Sequence, residues 1–456
     1  MQIKFSRNKN KALYIQLYEA ISEDIITGRL PYGVRLPARR VLAEQLDISQ
    51  NTVEGAYKML ADTGYITAVP RQGYVVSFKS LAYKGNSLWE DPAPELVVFT
   101  PNSIDISRIN RATFGKILKD ISYNDGIDIF SFGAKNGEFE LRNTLSKYLY
   151  SFRNVKCSPD RIIIGAGAEY LLASFTAIFS PDTALIMENP CYTRFYRVLC
   201  SYNNLVEVLP YNPGQFNFDA LYASKGNILF IDPDARFPRG TCMSREERLQ
   251  LLNWANAREG RYIIENCYDS EILWETGETL YSMDNNNKVI YMGSLARSLC
   301  PAFKTSYMAL PPEVLARWKQ FHTYYYALTS KTEQYALSDF INKGYFTKHY
   351  RTMRKVYQDR SNYLASCLTD AFGNDIRVLS SSASTYLTAE FQQNTEKVIE
   401  LARRNGVKLP SLNSFNPFYK SNKALYQNDD HLIFGFGELN NEKIRLGVTL
   451  LKDVLS

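Results

Sequence analysis

Histidine is scarce in this 456-residue chain. His322, His349 and His431 lie far apart and form no zinc-type spacing. They give no sign of a Ser/His/Asp triad, although sequence distance alone does not exclude one. The seven cysteines, at 157, 191, 200, 242, 267, 300 and 367, stand singly with no CxxC pair. An odd, scattered set argues for reduced thiols in a cytoplasm rather than a disulfide framework. No run of eighteen or more apolar residues occurs, so no membrane span is expected. The opening MQIKFSRNKNKALY lacks an apolar signal core, and secretion is not expected. No internal repeat is evident.

What is there is ordinary in amount: 45% hydrophobic and 22% charged residues, as in soluble globular chains. The length predicts roughly two or three domains and a sizeable core. The net charge of +6 is unevenly spread. Residues 1–80 hold eleven Lys/Arg against seven Asp/Glu, so most of the surplus sits at one end. A basic end on a near-neutral body suggests a nucleic-acid module, because neutralising phosphates needs concentrated Lys and Arg.

Leu13, Tyr14, Leu17, Ile21 and Ile25 recur at three- and four-residue steps, the stripe of one helix, which Gly28 and Pro31 end. Val41, Leu42 and Leu46 mark a second helix after Leu36-Pro37-Ala38-Arg39-Arg40. Ser49 is a suitable N-cap for a third, with Val53, Ala56, Tyr57 and Leu60 turned inward. The runs YITAV and YVVSF follow, joined by Pro70-Arg71-Gln72-Gly73, a hairpin signal. This order is that of a winged helix. Gln50, Asn51 and Thr52 then face outward, suited to base edges or phosphates in a major groove. Arg39, Arg40 and Arg71 flank them.

Residues 10–78 resemble the GntR-type winged helix. The resemblance implies DNA contact by Arg40, by Gln50, Asn51 and Thr52, and by Gln72 and Gly73 in the wing. The family often has Ser-Arg where this chain has Ser49-Gln50, a lost guanine or phosphate contact that points to a different target sequence.

Residues 79–110 read as a linker, with Leu96-Val97-Val98-Phe99 as a short strand. Beyond it the apolar runs RIIIGAG, TALIMEN, GNILFID, RYIIENC and KVIYMGS alternate with helical segments such as ELRNTLSKYLYSF and SREERLQLLNWANA. That alternation predicts an α/β body around a mainly parallel sheet. Its site should lie at the carboxyl ends of the strands, near Gly165–Glu169, Asn189–Tyr192, Asp232–Gly240, Glu265–Asp269 and Gly293–Lys304. Gly165-x-Gly167 imitates a dinucleotide fingerprint, but Tyr170 stands where the third glycine belongs. A helix N-terminus at Ala168 and Glu169 that receives a phosphate explains the loop equally well.

GEFELRNTLSKYL, ENPCYTRFYRVL, FPRGTCMSREERLQLLNWA, IIENCYDSE, GSLARSLCPAFKTSYMALP and GFGELNNEKIRLGVTLL resemble fold-type I aminotransferases. With the N-terminal segment, the chain is identified as similar to MocR-type regulators, which join a GntR winged helix to that fold. The resemblance implies a winged helix over 1–78, a linker over 79–110, a large domain over 111–340 and a small α+β domain over 341–456. It implies a transcription regulator that pairs as a homodimer on double-stranded operator DNA in the cytoplasm. Pyridoxal phosphate is the family cofactor.

The residues matching the family's cofactor site depart from its pattern. Arg297 stands where the imine-forming lysine belongs, and Lys304 where the phosphate-binding arginine belongs. A guanidinium is no amine nucleophile, so no covalent cofactor is expected at Arg297. Asn266 replaces the pyridine-facing aspartate, Ala296 a hydroxyl residue, Ala235 a histidine and Ile433 a substrate-gripping arginine. Tyr192, Tyr268 and Ser294 are kept. Two readings stand side by side. In one the body is a scaffold. In the other the pocket, with Arg297, Lys304 and Arg236 in one cleft, is rebuilt for a small anionic effector. Non-covalent pyridoxal phosphate is a third. An active aminotransferase, and an interaction protein that has lost DNA binding, are the alternatives from other classes.

Overall fold

A computed structural model describes residues 12–26, 29–70, 73–78, 96–124, 128–179, 183–202, 205–212, 214–274, 276–322, 329–379, 385–419 and 431–455. The chain forms two compact units, Met1–Pro92 and Ala93–Ser456.

The first unit runs α1 (Leu13–Ile26), α2 (Arg39–Leu46), α3 (Gln50–Asp62), β1 (Ile66–Val69) and β2 (Gly73–Val76). Leu17, Ile21, Ile25, Leu42, Val53, Ala56, Tyr57, Leu60, Ile66 and Val76 form its core. The stripe on α1 is narrower than the periodicity suggests: Leu13 and Tyr14 are exposed, as is Val41 on α2. Tyr14 covers the surface of α3 at Gly55, where an added Cβ would sit 3.4 Å away. The β1–β2 hairpin pairs Ile66 with Val76 and Val69 with Gly73. Residues 33–36 run beside β2 through an isolated antiparallel bridge between Arg35 and Val75, where Leu36 N–H donates to Tyr74 and Val76 N–H to Val34. Arg71, Gln72 and residues 79–95 of the expected linker lie outside the described residues.

The second unit begins with β3 (Val97–Val98), α4 (Arg111–Ser122) and α5 (Phe139–Arg153). Then come β4 (Ile162–Ala166), α6 (Ala168–Thr176), β5 (Ala184–Met187), α7 (Thr193–Ser201), β6 (Leu205–Val208), β7 (Ile228–Ile231), β8 (Tyr262–Cys267), β9 (Val289–Ser294) and β10 (Thr305–Ala309). The central sheet has the order β4-β10-β9-β8-β7-β5-β6. Its pairings are parallel except around β10, which runs antiparallel to both β4 and β9. All five apolar runs singled out in the sequence are strands of this sheet. They are buried on both faces, as helix-covered strands are.

A second sheet joins β11 (Ile376–Leu379), β12 (Tyr386–Phe391) and a later strand, Leu432–Gly435. The helices Tyr345–Phe372, Thr395–Arg404 and Asn441–Leu455 pack with it around a core that includes Leu364, Leu387, Phe434 and Val448. Between them, Val407–Lys408 pairs in parallel with β3.

Candidate functional site

In the winged helix, α3 is set from its first residue. Ser49 is extended, and its hydroxyl accepts from the Thr52 N–H at 3.1 Å. Such a cap contributes about 1 kcal/mol. The Thr52 hydroxyl lies 2.8 Å from that of Ser49, so Thr52 is engaged in the cap, while Gln50 and Asn51 remain exposed. Tyr57 is buried and its hydroxyl donates to the Pro37 carbonyl at 2.9 Å, which ties α3 to the start of α2. Arg40 lies 3.0 Å from Glu44, and Arg39 lies 2.6 Å from Glu54 on α3. Exposed pairs of this kind contribute about 0–1 kcal/mol, so a phosphate competes for either arginine at little cost. Gly73 opens β2 at φ +85°, with the Arg35 guanidinium beside it. Arg35 and Glu54 were not singled out in the sequence. The usable signal was spacing: Gln50, Glu54 and Lys58 fall four apart along one exposed edge beside the buried stripe.

In the body, the cofactor-site candidates converge at the carboxyl ends of the strands. Ala168 and Glu169 open α6, which Gly167 caps at φ +100°, a conformation that explains the second glycine of the fingerprint look-alike. Tyr192 and Arg194 stand at the start of α7, Tyr268 after β8, and Ser294, Arg297 and Lys304 between β9 and β10. All of them line one cavity of about 180 Å³, together with Asn102, Ala296, Pro301 and Ser306. That is small beside the roughly 300–1,000 Å³ of common ligand pockets.

Asn266 is not in this cavity. It lines a separate void of about 40 Å³ with Glu188, Asp232 and Arg236, and only Tyr192 borders both spaces. The Asn266 Oδ1 is buried without a hydrogen-bond partner. Asp232 is fully buried there, and burial pushes its carboxyl well up.

Of the three cations expected to share one cleft, Arg297 and Lys304 line the same cavity and Arg236 does not. Arg236 pairs with Glu188 in the second void. Arg297 is 5% exposed, and its Nε and Nη2 donate to both carboxylate oxygens of Asp269 at 2.6 and 3.1 Å. Nη2 also donates to the Thr385 hydroxyl at 2.9 Å and the Pro101 carbonyl at 3.3 Å. Burial alone would push this guanidinium down; Asp269 more than offsets it and holds the group charged. Nη1 of Arg297 is buried with no hydrogen-bond partner. Arg194 closes on Glu169 at 2.8 Å.

Around the first cavity Ser294 Oγ accepts from the Ala296 N–H and from the Ser306 hydroxyl, at 3.2 and 2.8 Å. Tyr192 meets Phe195 and Phe237 edge-on, and burial raises both its phenol and that of Tyr268. Ile433 is fully buried against Tyr386, Phe237 and Phe415, so the side expected to grip a carboxylate is apolar. Ala235 is buried as well. Among the described residues no cluster of His, Cys, Asp or Glu has metal-holding geometry, and no helix is long and apolar enough to cross a membrane.

Comparison with known proteins meets both halves of this picture. The family described as bacterial regulatory proteins, gntR family, matches residues 13–76. An HTH-type transcriptional regulator of Bacillus subtilis (strain 168), YdeL, is 30% identical over 98% of this chain and 97% of its own length. The probable rhizopine catabolism regulatory protein MocR of Rhizobium meliloti is 25% identical over 98% of this chain and 94% of its own. The crystal structure of a multiple substrate aminotransferase from Thermococcus profundus superimposes with a TM-score of 0.68 at 18% identity, covering 79% of this chain and 91% of that one. At that identity the likeness is one of fold.

Proposed function

Because the chain belongs to the gntR family of HTH-type transcriptional regulators, in the MocR-type form with an aminotransferase-like body, we propose that its body is a non-catalytic module that pairs two copies and binds a small anion without a covalent bond. The chain is a DNA-binding regulator by kinship.

Residues 1–78 read the operator through Arg39, Arg40, Gln50, Asn51, Thr52 and the wing at Arg71, Gln72 and Gly73. Residues 79–110 lead from this module into the body, with Val97, Phe99 and Ile104 already packed in the body's core, and 111–340 and 341–456 form its two lobes, the first of which supplies nearly all of the pocket lining. Two copies joined through their bodies meet paired half-sites. Exposed Tyr123, Phe130, Phe132 and Phe139, close together in the chain between α4 and α5, support the body as the pairing surface.

One observation carries the ligand reading. Arg297, whose Nη1 is a buried donor with no hydrogen-bond partner, lines a cavity together with Lys304, Ser294 and the N-terminus of α6. A buried unsatisfied donor costs about 1–3 kcal/mol, more when charged, and an anion placed there removes the cost. A helix N-terminus adds favourable potential.

Covalent pyridoxal phosphate fits these residues poorly. The guanidinium at the position matching the attachment lysine is held by Asp269, Asn266 lines a different void, and Ile433 is buried in an apolar cluster with Tyr386, Phe237 and Phe415. We therefore read the cofactor site as degenerate and derive no chemistry through it.

The test uses the full-length protein. Inorganic phosphate should raise its Tm, with a shift that grows as the logarithm of ligand concentration above the Kd, and Lys304→Ala and Ser294→Ala should each reduce the shift. No shift with phosphate or sulfate would leave the body a scaffold. Incubation with pyridoxal phosphate and borohydride should leave no adduct; a pyridoxyl group on Lys304 would overturn the non-covalent reading.

A further inference from the structure

The third helix of the winged helix, α3, carries an exposed carboxylate, Glu54. Gln50, Glu54 and Lys58 lie at four-residue steps on α3, all exposed, while Val53, Ala56, Tyr57 and Leu60 face the core. Glu54 is therefore one turn further along the edge that begins with Gln50. A carboxylate near phosphates is repelled unless something on the DNA compensates it. The major groove offers such a group, the amino donor of cytosine N4, to which Glu and Asp side chains pair.

In the free protein Arg39 supplies the compensation instead, with Nη1 2.6 Å from Glu54 Oε1. Both side chains are about half exposed, at 49% and 59%, so the pair is screened and open to exchange.

We infer that Glu54 is a base-reading residue that selects cytosine, and that Arg39 masks it until a phosphate takes Arg39 away. The partner exchange is balanced in charge: Arg39 passes from carboxylate to phosphate, and Glu54 from guanidinium to the cytosine amino group. This assigns sequence selection to a position other than Gln50, Asn51 and Thr52. It rests only on the winged helix and is independent of any ligand in the body.

The test is selection from a randomised duplex library by the full-length protein. Wild type should select a cytosine at one position in each half-site. Glu54→Gln should lose that preference roughly five- to a hundred-fold, or turn it toward adenine, with the other positions unchanged. Arg39→Ala should weaken binding across all sequences and lower the salt slope by about one while keeping the cytosine. If Glu54→Gln and Glu54→Ala retain the wild-type consensus, the inference fails. It fails equally if Glu54→Gln reproduces the uniform loss of Arg39→Ala, because Glu54 then only positions Arg39. Unchanged Tm in each variant separates these outcomes from misfolding.

Discussion

Asp269 and Arg297 face each other in two-point contact at the carboxyl ends of the adjacent strands β8 and β9. Arg297 is buried and Asp269 largely so, and the same guanidinium reaches Thr385 and Pro101. Removing one partner of a buried pair strands the other, which typically costs about 3–5 kcal/mol. Asp269→Asn should lower stability by about that amount in urea unfolding. The Asp269→Asn, Arg297→Gln double variant should be less destabilised than the sum of the two single changes, because the two sites are coupled.

Arg297→Lys restores an amine where the resemblance puts the attachment lysine, but it restores none of the family's other site residues. Asn266 and Ile433 are untouched, and a lysine there cannot hold Asp269, Thr385 and Pro101 together. The variant should show no transamination with pyridoxal phosphate and common amino acids. Measurable turnover would mean that the surrounding replacements matter less than argued.

The Ser49 cap links stability to recognition, because it fixes the first turn of α3 where Gln50 and Asn51 are displayed. Ser49→Ala should cost about 1 kcal/mol in the unfolding of the winged helix. Operator affinity, measured by a salt-controlled gel shift, should fall with it. Gln50→Ala and Arg40→Ala should weaken binding with no comparable loss of Tm.

Glu271 is fully buried and its carboxyl is pushed up to about 7, chiefly by burial, with Arg153 pulling it back only in part. One of its oxygens has no partner, while the Tyr148 hydroxyl donates to the other at 3.4 Å. The folded chain thus keeps this proton where the unfolded chain has released it. Its contribution is full below the ordinary value of 4.5, declines as pH rises toward about 7, and is lost above. Glu271→Gln removes that decline. Relative to wild type, its Tm should rise between pH 5 and pH 8, by the equivalent of roughly 1–3 kcal/mol. Glu265 is also pushed up to about 7, chiefly by burial, so part of the wild-type slope remains in the variant.

If pairing runs through the aromatic residues between α4 and α5, charge placed there should block it. Phe130→Asp with Phe132→Asp should shift sedimentation from dimer to monomer at micromolar concentration. Binding to a single half-site should survive, while binding to the paired operator should weaken by more than tenfold.

Much of this was legible in the residues. The apolar runs became the strands they suggested, Ser49 became the cap, and Val53, Ala56, Tyr57 and Leu60 became the buried face. The orientation of β10 was not legible, because period-two alternation carries no direction. Arg297 stood out by its position, but its partner Asp269 did not, since the pairing depends on how far each chain runs past its strand before turning. Asn266 was grouped with Arg297 because both lie at the carboxyl ends of neighbouring strands, but they line separate spaces that share only Tyr192. Glu54 was overlooked because a carboxylate is not the usual sign of a DNA contact.

The pairing of β3 with Val407–Lys408 has one more consequence. Val97 is matched with Val407, about 310 residues later, and the chain at Thr100 and Ser103 passes so close to Gly435 and Gly437 that no side chain fits there. During synthesis the winged helix has every residue of its own core once Val76 has left the ribosome. The stretch after the linker has no finished neighbour until almost the last helix is made. The two halves therefore mature on different clocks, and the half that meets DNA is complete long before the half that would govern it.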